Sequence, residues 1–229
     1  MPNFVNKIGA GVCLAAALSS CAFHGSVEPF DESRVVLMQL TDMQQGENIG
    51  VISTSEGEFT IRFFPSEAPK AVETFISLAQ SGEYDGQPLL PAAREKISEE
   101  GDYLLAPLPE EIKKKVEPFK AEFSYNLCPF PGAVSMEVDN RGRANGGFLV
   151  AATNTVSEGV LENLEKEGYP KVIAQAFRER GGYPQCWLTE PVFAQVIEGQ
   201  PVVDKISEKI REGGRDVLIE KVSIERYSA

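Results

Sequence analysis

The segment from Ile49 to Ala79 constrains the fold most strongly, because it joins a strand hairpin to an amphipathic helix. Residues 49–53 and 58–64 alternate with the period of a strand, and residues 55–57 between them have the composition of a turn. The next apolar residues recur at helical spacing, and they are Val72, Phe75, Ile76 and Ala79. This pattern predicts two antiparallel strands followed by a helix that packs one face against a sheet.

Local residues also predict where this helix begins and ends. Ser66 is of a type that caps helix N-termini, and Pro69 suits a first helical turn. Gly82 suits the position just beyond a helix C-terminus. We therefore expect a helix capped by Ser66 and ended by Gly82.

The rest of the chain contains more strand patterns than helix patterns. Strands are predicted at residues 132–138, 148–152, 192–196 and 216–224. A second amphipathic helix is indicated by Val202, Val203, Ile206 and Ile210. Many strands with two separated helices predict a mainly β fold, a closed antiparallel β-barrel capped by two helices, one over each mouth.

The charge and histidine content argue against several classes of function. The chain has 229 residues with 34 acidic and 22 basic side chains, a net charge of -12. Nucleic-acid binding depends on Lys and Arg, so we expect no nucleic-acid partner. The single histidine, His24, lies outside the expected domain, which argues against histidine-dependent nucleophilic sites and histidine-ligated zinc there. We expect no cofactor.

The first residues have the features of a bacterial lipoprotein signal. Lys7 supplies a positive start, and residues 8–18 are an apolar run shorter than the about 20 residues of a membrane span. Residues 18–21 read L-S-S-C and match the lipobox, in which the cysteine is acylated and becomes the first mature residue. The alternative is an ordinary secretion signal with an incidental cysteine at position 21.

These features predict how the N-terminus is organised and where the protein resides. We expect a signal peptide over residues 1–20, lipidation of Cys21 and a tether over residues 21–46. Residues 34–40 within the tether are apolar enough to form an extra strand. Ala22 after the cysteine favours the outer membrane, so we expect a lipid-anchored protein of the bacterial envelope that faces the periplasm.

Two cysteines remain in the expected domain, Cys128 and Cys186. In an oxidising compartment such a pair often forms a disulfide, which would constrain the unfolded chain by about 3–5 kcal/mol. We therefore expect a disulfide between them, and two unrelated thiols are the alternative.

Several segments resemble, in the same order, the signatures of the cyclophilin-type peptidyl-prolyl cis-trans isomerases. Residues 64–75 read F-P-S-E-A-P-K-A-V-E-T-F beside the family's F-P-x-x-A-P-K-T-V-x-N-F, and the family's Y-D-G follows at residues 84–86. Residues 121–123, 132–136 and 191–199 are similar to its A-E-F, G-x-x-S-M and V-F-G-x-V-x-E-G. The resemblance implies a cyclophilin-like domain over residues 47–229 that acts on proline-containing peptides or envelope proteins.

The resemblance also implies the place of the catalytic arginine, and this chain departs from the family there. The family continues Y-D-G-x-x-F-H-R, and Leu89, Leu90 and Pro91 occupy its last three positions. The arginine donates to the proline nitrogen and weakens the partial double bond of the X-Pro peptide. A shifted arginine, Arg94, is the candidate replacement in this sequence.

The pocket that holds the proline ring in the family is only partly retained. Without gaps, the pocket phenylalanine falls on Lys96, the methionine on Ile97 and the backbone-gripping glutamine on Glu99. The alanine-asparagine pair falls on Glu137 and Val138, and the late histidine falls near Glu190.

Apolar residues remain at other pocket positions. The second phenylalanine falls on Leu149, and the tryptophan-leucine pair is intact as Trp187 and Leu188. With Ile97, these residues are candidates for a proline pocket, with Glu99 beside them. The alternative is that they only close the core.

Two helical insertions border the groove that the resemblance implies. One covers about residues 108–118, and the other covers about residues 154–183 and reads as two amphipathic helices. They either cover the groove, build a protein-binding surface or decorate the barrel.

Two functions therefore stay open at the level of sequence. The first is a cyclophilin-type isomerase that assists folding of envelope proteins, with activity reduced by the loss of arginine at Pro91. The alternative is a non-catalytic cyclophilin-like binding module anchored to the bacterial membrane.

Overall fold

One curled antiparallel sheet organises the part of the chain that the structure describes. The structure is a computed structural model and describes residues 32–93 and 102–228. Within these ranges the sheet has nine strands, β1 (Asn48–Thr54), β2 (Gly57–Phe63), β3 (Leu90–Ala92), β4 (Tyr103–Ala106), β5 (Phe119–Lys120), β6 (Ala133–Val138), β7 (Arg143–Ala151), β8 (Val192–Glu198) and β9 (Ile219–Arg226).

The predicted hairpin lies near one end of this sheet, where β1 pairs with the terminal strand β9. Its strands are ordered β3-β4-β7-β6-β8-β2-β1-β9, and β5 adds to β7. β1 and β2 pair with Ile49 opposite Arg62 and Thr54 opposite Gly57, as the alternating pattern and turn predicted. The mainly β prediction is therefore confirmed.

The two ends of the sheet approach each other next to β3. The amides of Gly86 and Leu89 donate to the carbonyls of Ile219 and Val217, and the amide of Ile219 donates to Gln87. These bonds join the segment before β3 to the start of β9, but β3 and β9 do not themselves pair. The described sheet is thus an open half-barrel, and full closure stays a prediction.

The first predicted helix forms, but its N-terminal cap comes from elsewhere in the chain. Helix α1 spans Pro69–Gln80, its N-cap residue is Ala68, and Ser66 makes no cap bond. Instead, the carboxylate of Glu122 accepts from the amides of Lys70 and Ala71 at 3.3 and 3.0 Å. The prediction for Ser66 was wrong, because a carboxylate distant in sequence satisfies the free amides at the positive end of the helix.

Helix α1 and the second predicted helix bury their apolar faces in one core cluster. In sequence order the helices of the described residues are α1, α2 (Glu110–Lys113), α3 (Glu158–Lys166), α4 (Lys171–Arg180) and α5 (Gln200–Arg211). α1 contacts β7, β8 and β9, and α5 contacts β2, β3 and β4. The core residues from these two helices include Val72, Phe75, Val203, Ile206 and Ile210.

The predicted insertions are helical. α2 lies in the first, and α3 and α4 in the second, where they pack on each other through Leu161, Leu164, Ile173 and Phe177. α2 is a single turn that begins after Pro109 with glutamates and ends with Lys113, and these charges suit the two ends of a helix. Among the described residues, none of these helices has the length and apolar character needed to cross a bilayer.

Residues 34–40 do not form the extra strand that we predicted. They are irregular, with a 3-10 turn at Met38–Leu40, and their side chains are mostly partly or fully exposed. Leu37 is the exception, because it is buried among side chains of the second insertion. Apolar composition indicated a strand, but this segment docks by side chains instead.

The predicted disulfide is also absent. Cys128 and Cys186 are both buried thiols that no disulfide joins, and they belong to different hydrophobic clusters. Burial raises the pKa of the Cys128 thiol well above its usual range, so it stays protonated. The disulfide prediction was therefore wrong for this structure.

Candidate functional site

Pro91, which the resemblance aligns with the family's arginine, lies on the edge strand of the sheet. It is the central residue of β3 and lies opposite Leu104 of β4. Proline cannot donate a ladder hydrogen bond, and an edge strand is where a sheet tolerates this loss. Pro91 and Leu90 are partly exposed, whereas Leu89 is fully buried in the core. The described part of this strand therefore has no donor side chain at position 91.

Three predicted site residues follow β3 directly. Arg94, Ile97 and Glu99 lie outside the described residues, which resume at Asp102. Their roles as shifted arginine, pocket wall and backbone grip remain predictions. Cys21, the predicted lipidation site, likewise lies outside the described residues.

The strands beside β3 bury both of their faces. On β4 and β7, Leu104, Ala106, Phe148 and Val150 point into the main core. The alternate residues Tyr103, Leu105, Leu149 and Ala151 point to a second cluster on the opposite face. We call the side that carries Leu149 the outer face, and the resemblance puts the substrate groove there.

Leu149 is closed off on this outer face. It is 4% exposed and lies opposite Leu105 on β4 and Ser135 on β6. Tyr183, which ends the second insertion, shares its cluster and stacks on Tyr103 with ring centroids 4.7 Å apart. Leu149 therefore lies under the chain's own side chains and not in an open pocket.

Trp187 is also buried, but in the cluster formed by the second insertion. It is 8% exposed, and its ring lies 5.3 Å from that of Tyr169 and 6.1 Å from that of Tyr125. Leu188 packs against the same cluster with a φ of 69°, the one positive φ among the described non-glycine residues. The structure does not bring Leu149 and Trp187 into one hydrophobic cluster.

A buried polar pair lies near the position that the resemblance gives to the family's late histidine. The hydroxyl of Ser135 donates to the carboxylate of Glu190, and the two side chains are 1% and 5% exposed. Ser135 lies beside Leu149 in the sheet, so this pair is at the floor of the outer face. Sequence analysis missed the role of Ser135, although its place in G-A-V-S-M was a signal.

An ion pair holds the first insertion against the sheet. The ammonium of Lys113 on α2 lies 3.3 Å from the carboxylate of Glu137 on β6. Glu137 fills the space above Gly147, where an added Cβ would meet its carboxylate oxygen at 2.2 Å. The residue that replaces the family's alanine thus pins an insertion helix at the edge of the predicted groove.

The surface near Leu149 and Trp187 is closed, and the tyrosine beside Trp187 is neutral. Burial raises the pKa of Tyr169 to about 12, and its hydroxyl donates to the carbonyl of Pro184 at 3.3 Å. Within residues 32–93 and 102–228 no cluster of metal-ligating side chains occurs. The described site thus combines apolar surface and neutral hydroxyls with the carboxylate of Glu190 at its floor.

Comparisons with known proteins agree with this fold. Residues 50–229 match the family described as "Cyclophilin type peptidyl-prolyl cis-trans isomerase/CLD". A Staphylococcus aureus (strain USA300) protein named "Putative peptidyl-prolyl cis-trans isomerase" is 31% identical over 188 residues, which cover 80% of this chain and 95% of that protein. A Staphylococcus epidermidis protein of the same name is 30% identical over 190 residues, with coverage of 80% and 95%.

The solved structures support the fold alone, because their sequences are distant. A Cryptosporidium parvum cyclophilin type peptidyl-prolyl cis-trans isomerase, crystallised in the presence of the dipeptide ala-pro, matches with a TM-score of 0.54 and 16% identity. The match covers 77% of this chain and 98% of that one. A second structure of the same protein matches with a TM-score of 0.55. The chain belongs to the cyclophilin-type peptidyl-prolyl cis-trans isomerase family.

Proposed function

We propose that this protein is a cyclophilin-type isomerase of the bacterial envelope whose activity on X-Pro bonds is reduced. The observation that carries the proposal is Pro91, which lies on β3 and which the resemblance aligns with the family's catalytic arginine. The family membership gives the reaction, and this residue gives the expected loss of rate.

The expected loss of isomerisation rate follows from the role of the arginine in the family. Rotation about an ordinary peptide bond has a barrier of about 18–20 kcal/mol, and X-Pro isomerisation takes tens to hundreds of seconds at 25 °C. A preorganised donor stabilises the rotating state, and removal of one such donor costs about 100- to 1000-fold in other enzymes. Pro91 has no donor, so we expect a loss of this order unless Arg94 supplies one.

The outer face supports reduced activity in a second way. Leu149 and Trp187 are 4% and 8% exposed, so neither offers an open wall to a proline ring in this structure. A substrate must first displace covering side chains or bind elsewhere. Both routes weaken apparent affinity, because only a fraction of molecules is competent to bind.

The test is X-Pro isomerisation of a proline tetrapeptide by the chain from Ala22 to Ala229. An Arg94→Ala variant tests the shifted arginine, and Arg141→Ala, at an exposed turn between β6 and β7, is the matched control. Acceleration that only Arg94→Ala abolishes would support the proposal and assign the donor. Acceleration that survives in both variants would assign catalysis to another group. The absence of acceleration would refute the isomerase proposal for this substrate.

The second candidate is a non-catalytic module that binds an envelope protein. The observation that favours it is the insertion itself, since α3 and α4 pack into one cluster with Trp187 and the resemblance implies that this insertion borders the family's groove. Such a module would bind proline-containing peptides or an envelope protein without accelerating isomerisation. Calorimetric binding of the tetrapeptide with no gain in rate would favour it over the enzyme.

The proposed location depends on Cys21. We propose that acylation of this cysteine anchors the protein in the outer membrane, facing the periplasm. Expression in bacteria with labelled palmitate should label the full chain, and Cys21→Ala should remove the label. Cys13→Ala, a cysteine inside the apolar run, is the control and should keep it. Equal labelling of both variants would contradict the lipobox assignment.

A further inference from the structure

The segment that precedes β1 is docked onto the outer face, although it forms no strand. Leu37 is 8% exposed and lies in the same hydrophobic cluster as Trp187. Met38 packs against the neighbouring cluster that contains Leu149. Residues 34–40, called the strap from here on, therefore pack against the two clusters that contain the predicted pocket residues.

Polar contacts hold the strap in the way that a groove holds a peptide. The side-chain amide of Gln39 donates to the carbonyl of Cys128 at 2.8 Å and accepts from its amide at 2.7 Å. The same amide donates to the side chain of Gln195 at 2.7 Å. The amides of Val36 and Met38 donate to the side chain and backbone carbonyl oxygens of Asn126.

The residues after the strap are fixed much more firmly. Arg62, which is 6% exposed, binds both carboxylate oxygens of Glu47 at 2.9 and 3.1 Å. Nη1 of Arg62 donates to the carbonyl of Thr41 at 2.6 Å, and Nη2, which also binds Glu47, donates to the carbonyl of Asp42 at 3.2 Å. A buried, bidentate arginine is a strong attachment, so Thr41 and Asp42 form a fixed point for the strap.

The strap is held by hydrogen bonds but buries little apolar surface. Val36 and Leu40 are 51% and 41% exposed, so Leu37 is its one buried large side chain. Segments with few buried apolar contacts open locally without global unfolding. A surface pocket already lies beside its C-terminal end, between Gln39, Leu40, Phe130 and Arg180.

We propose that the strap is a displaceable intramolecular ligand, and that it lifts about Thr41–Asp42 to admit a proline-containing peptide to Trp187 and Leu149. The identity of the incoming ligand rests on the proposed function. The strap then lowers the apparent affinity for the peptide by the fraction of molecules in which it is closed.

Trp187 makes the first measurement direct, because it is the only tryptophan in the chain. Leu37→Ala removes the buried contact and Gln39→Ala removes the amide bonds, while Leu40→Ala makes the same leucine change at an exposed neighbour. We expect the first two variants to raise the acrylamide quenching constant of Trp187 about twofold or more, as the open fraction grows. Leu40→Ala should leave it unchanged, and circular dichroism should show the same fold throughout.

The second measurement is calorimetric affinity for a proline tetrapeptide, in the same variants of residues 22–229. Leu37→Ala and Gln39→Ala should lower the apparent Kd about tenfold, in proportion to the open fraction. Unchanged quenching, or greater quenching without tighter binding, would refute the proposal that the strap is a displaceable ligand. If the Leu37→Ala variant does not fold, the quenching and the affinity of the Gln39→Ala variant test the proposal. Tighter binding without any isomerisation would leave the strap standing and refute only the proposed enzyme.

Discussion

The two faces of β4 and β7 are both buried, but they pack against different parts of the chain. The inner face carries Phe148 and Val150 and packs against α1, most of which lies in the segment that resembles the family signature. The outer face carries Leu149 and Ala151 and packs against Tyr183 and Cys186, which belong to or follow an insertion. The inner face thus packs against a segment typical of the family, and the outer face packs against a segment that the resemblance treats as an addition.

This difference predicts that mutations in the two regions affect stability in different ways. Phe75 of α1 is at the centre of the inner core, with Tyr84, Phe148, Phe193 and Phe63 all within 5.5 Å between ring centroids. The outer face lacks such a shared centre and is divided into two clusters. We therefore expect mutations in the inner core to act globally and mutations in the insertion to act locally.

The largest effect should come from Phe75→Ala. The side chain is fully buried, and truncation of a buried phenylalanine lowers the free energy of unfolding by about 3–5 kcal/mol. Phe123→Ala is the matched control, since Phe123 is 46% exposed and should change it by less than about 0.5 kcal/mol. Urea unfolding measures both, and similar losses in the two variants would contradict a single inner core centred on α1.

A smaller, local effect is expected for Leu161→Ala in α3. Leu161 is buried against α4, and its truncation should cost about 2–3 kcal/mol. Hydrogen exchange should become faster in α3 and α4 while α1 stays protected, because these helices form a separate cluster. Val172→Ala, at a 43% exposed position on α4, is the control. Equal acceleration in α1 would show that the two regions unfold as one unit.

The smallest effect should be electrostatic and dependent on pH. The ammonium groups of Lys209 and Lys205, at 2.6 and 2.9 Å, lower the pKa of Glu56 from 4.5 to about 2. Because the folded-state pKa is depressed, this stabilisation is present above about pH 4.5 and is lost as the pH falls towards 2.

Glu56→Gln tests this linkage. Its urea midpoint should lie below that of the wild type at pH 7, and the difference should shrink between pH 4.5 and pH 2. Glu220→Gln, at an exposed position on β9, should follow the wild type at every pH. A constant difference between Glu56→Gln and the wild type would contradict the link to Lys209 and Lys205.

The sequence predicted the inner face well because its signals are local. The alternation of apolar and polar residues predicted β1 and β2, and apolar residues at helical spacing from Val72 to Ala79 predicted α1. Both periods can be read from residues that are close in sequence. The cap of α1 was missed because Glu122 reaches it across the fold.

The outer face was predicted less well because its contacts join segments that are distant in sequence. The resemblance identified Leu149 and Trp187 as pocket positions, but their burial depends on segments that are distant in sequence. Residues 34–40 are apolar enough for a strand, yet the side chains of Gln39 and Leu37 determine how they dock. Such contacts carry no periodic signal in a single sequence.

The most direct test of the account is the kcat/KM for a proline tetrapeptide, measured for residues 22–229 beside a cyclophilin that has arginine at the position of Pro91. The account predicts catalysis about 100- to 1000-fold weaker than in that reference cyclophilin, because Pro91 removes a donor and the outer face is covered. A kcat/KM equal to that of the reference cyclophilin would contradict it, since neither the loss of the arginine nor the cover over Leu149 and Trp187 would then limit activity.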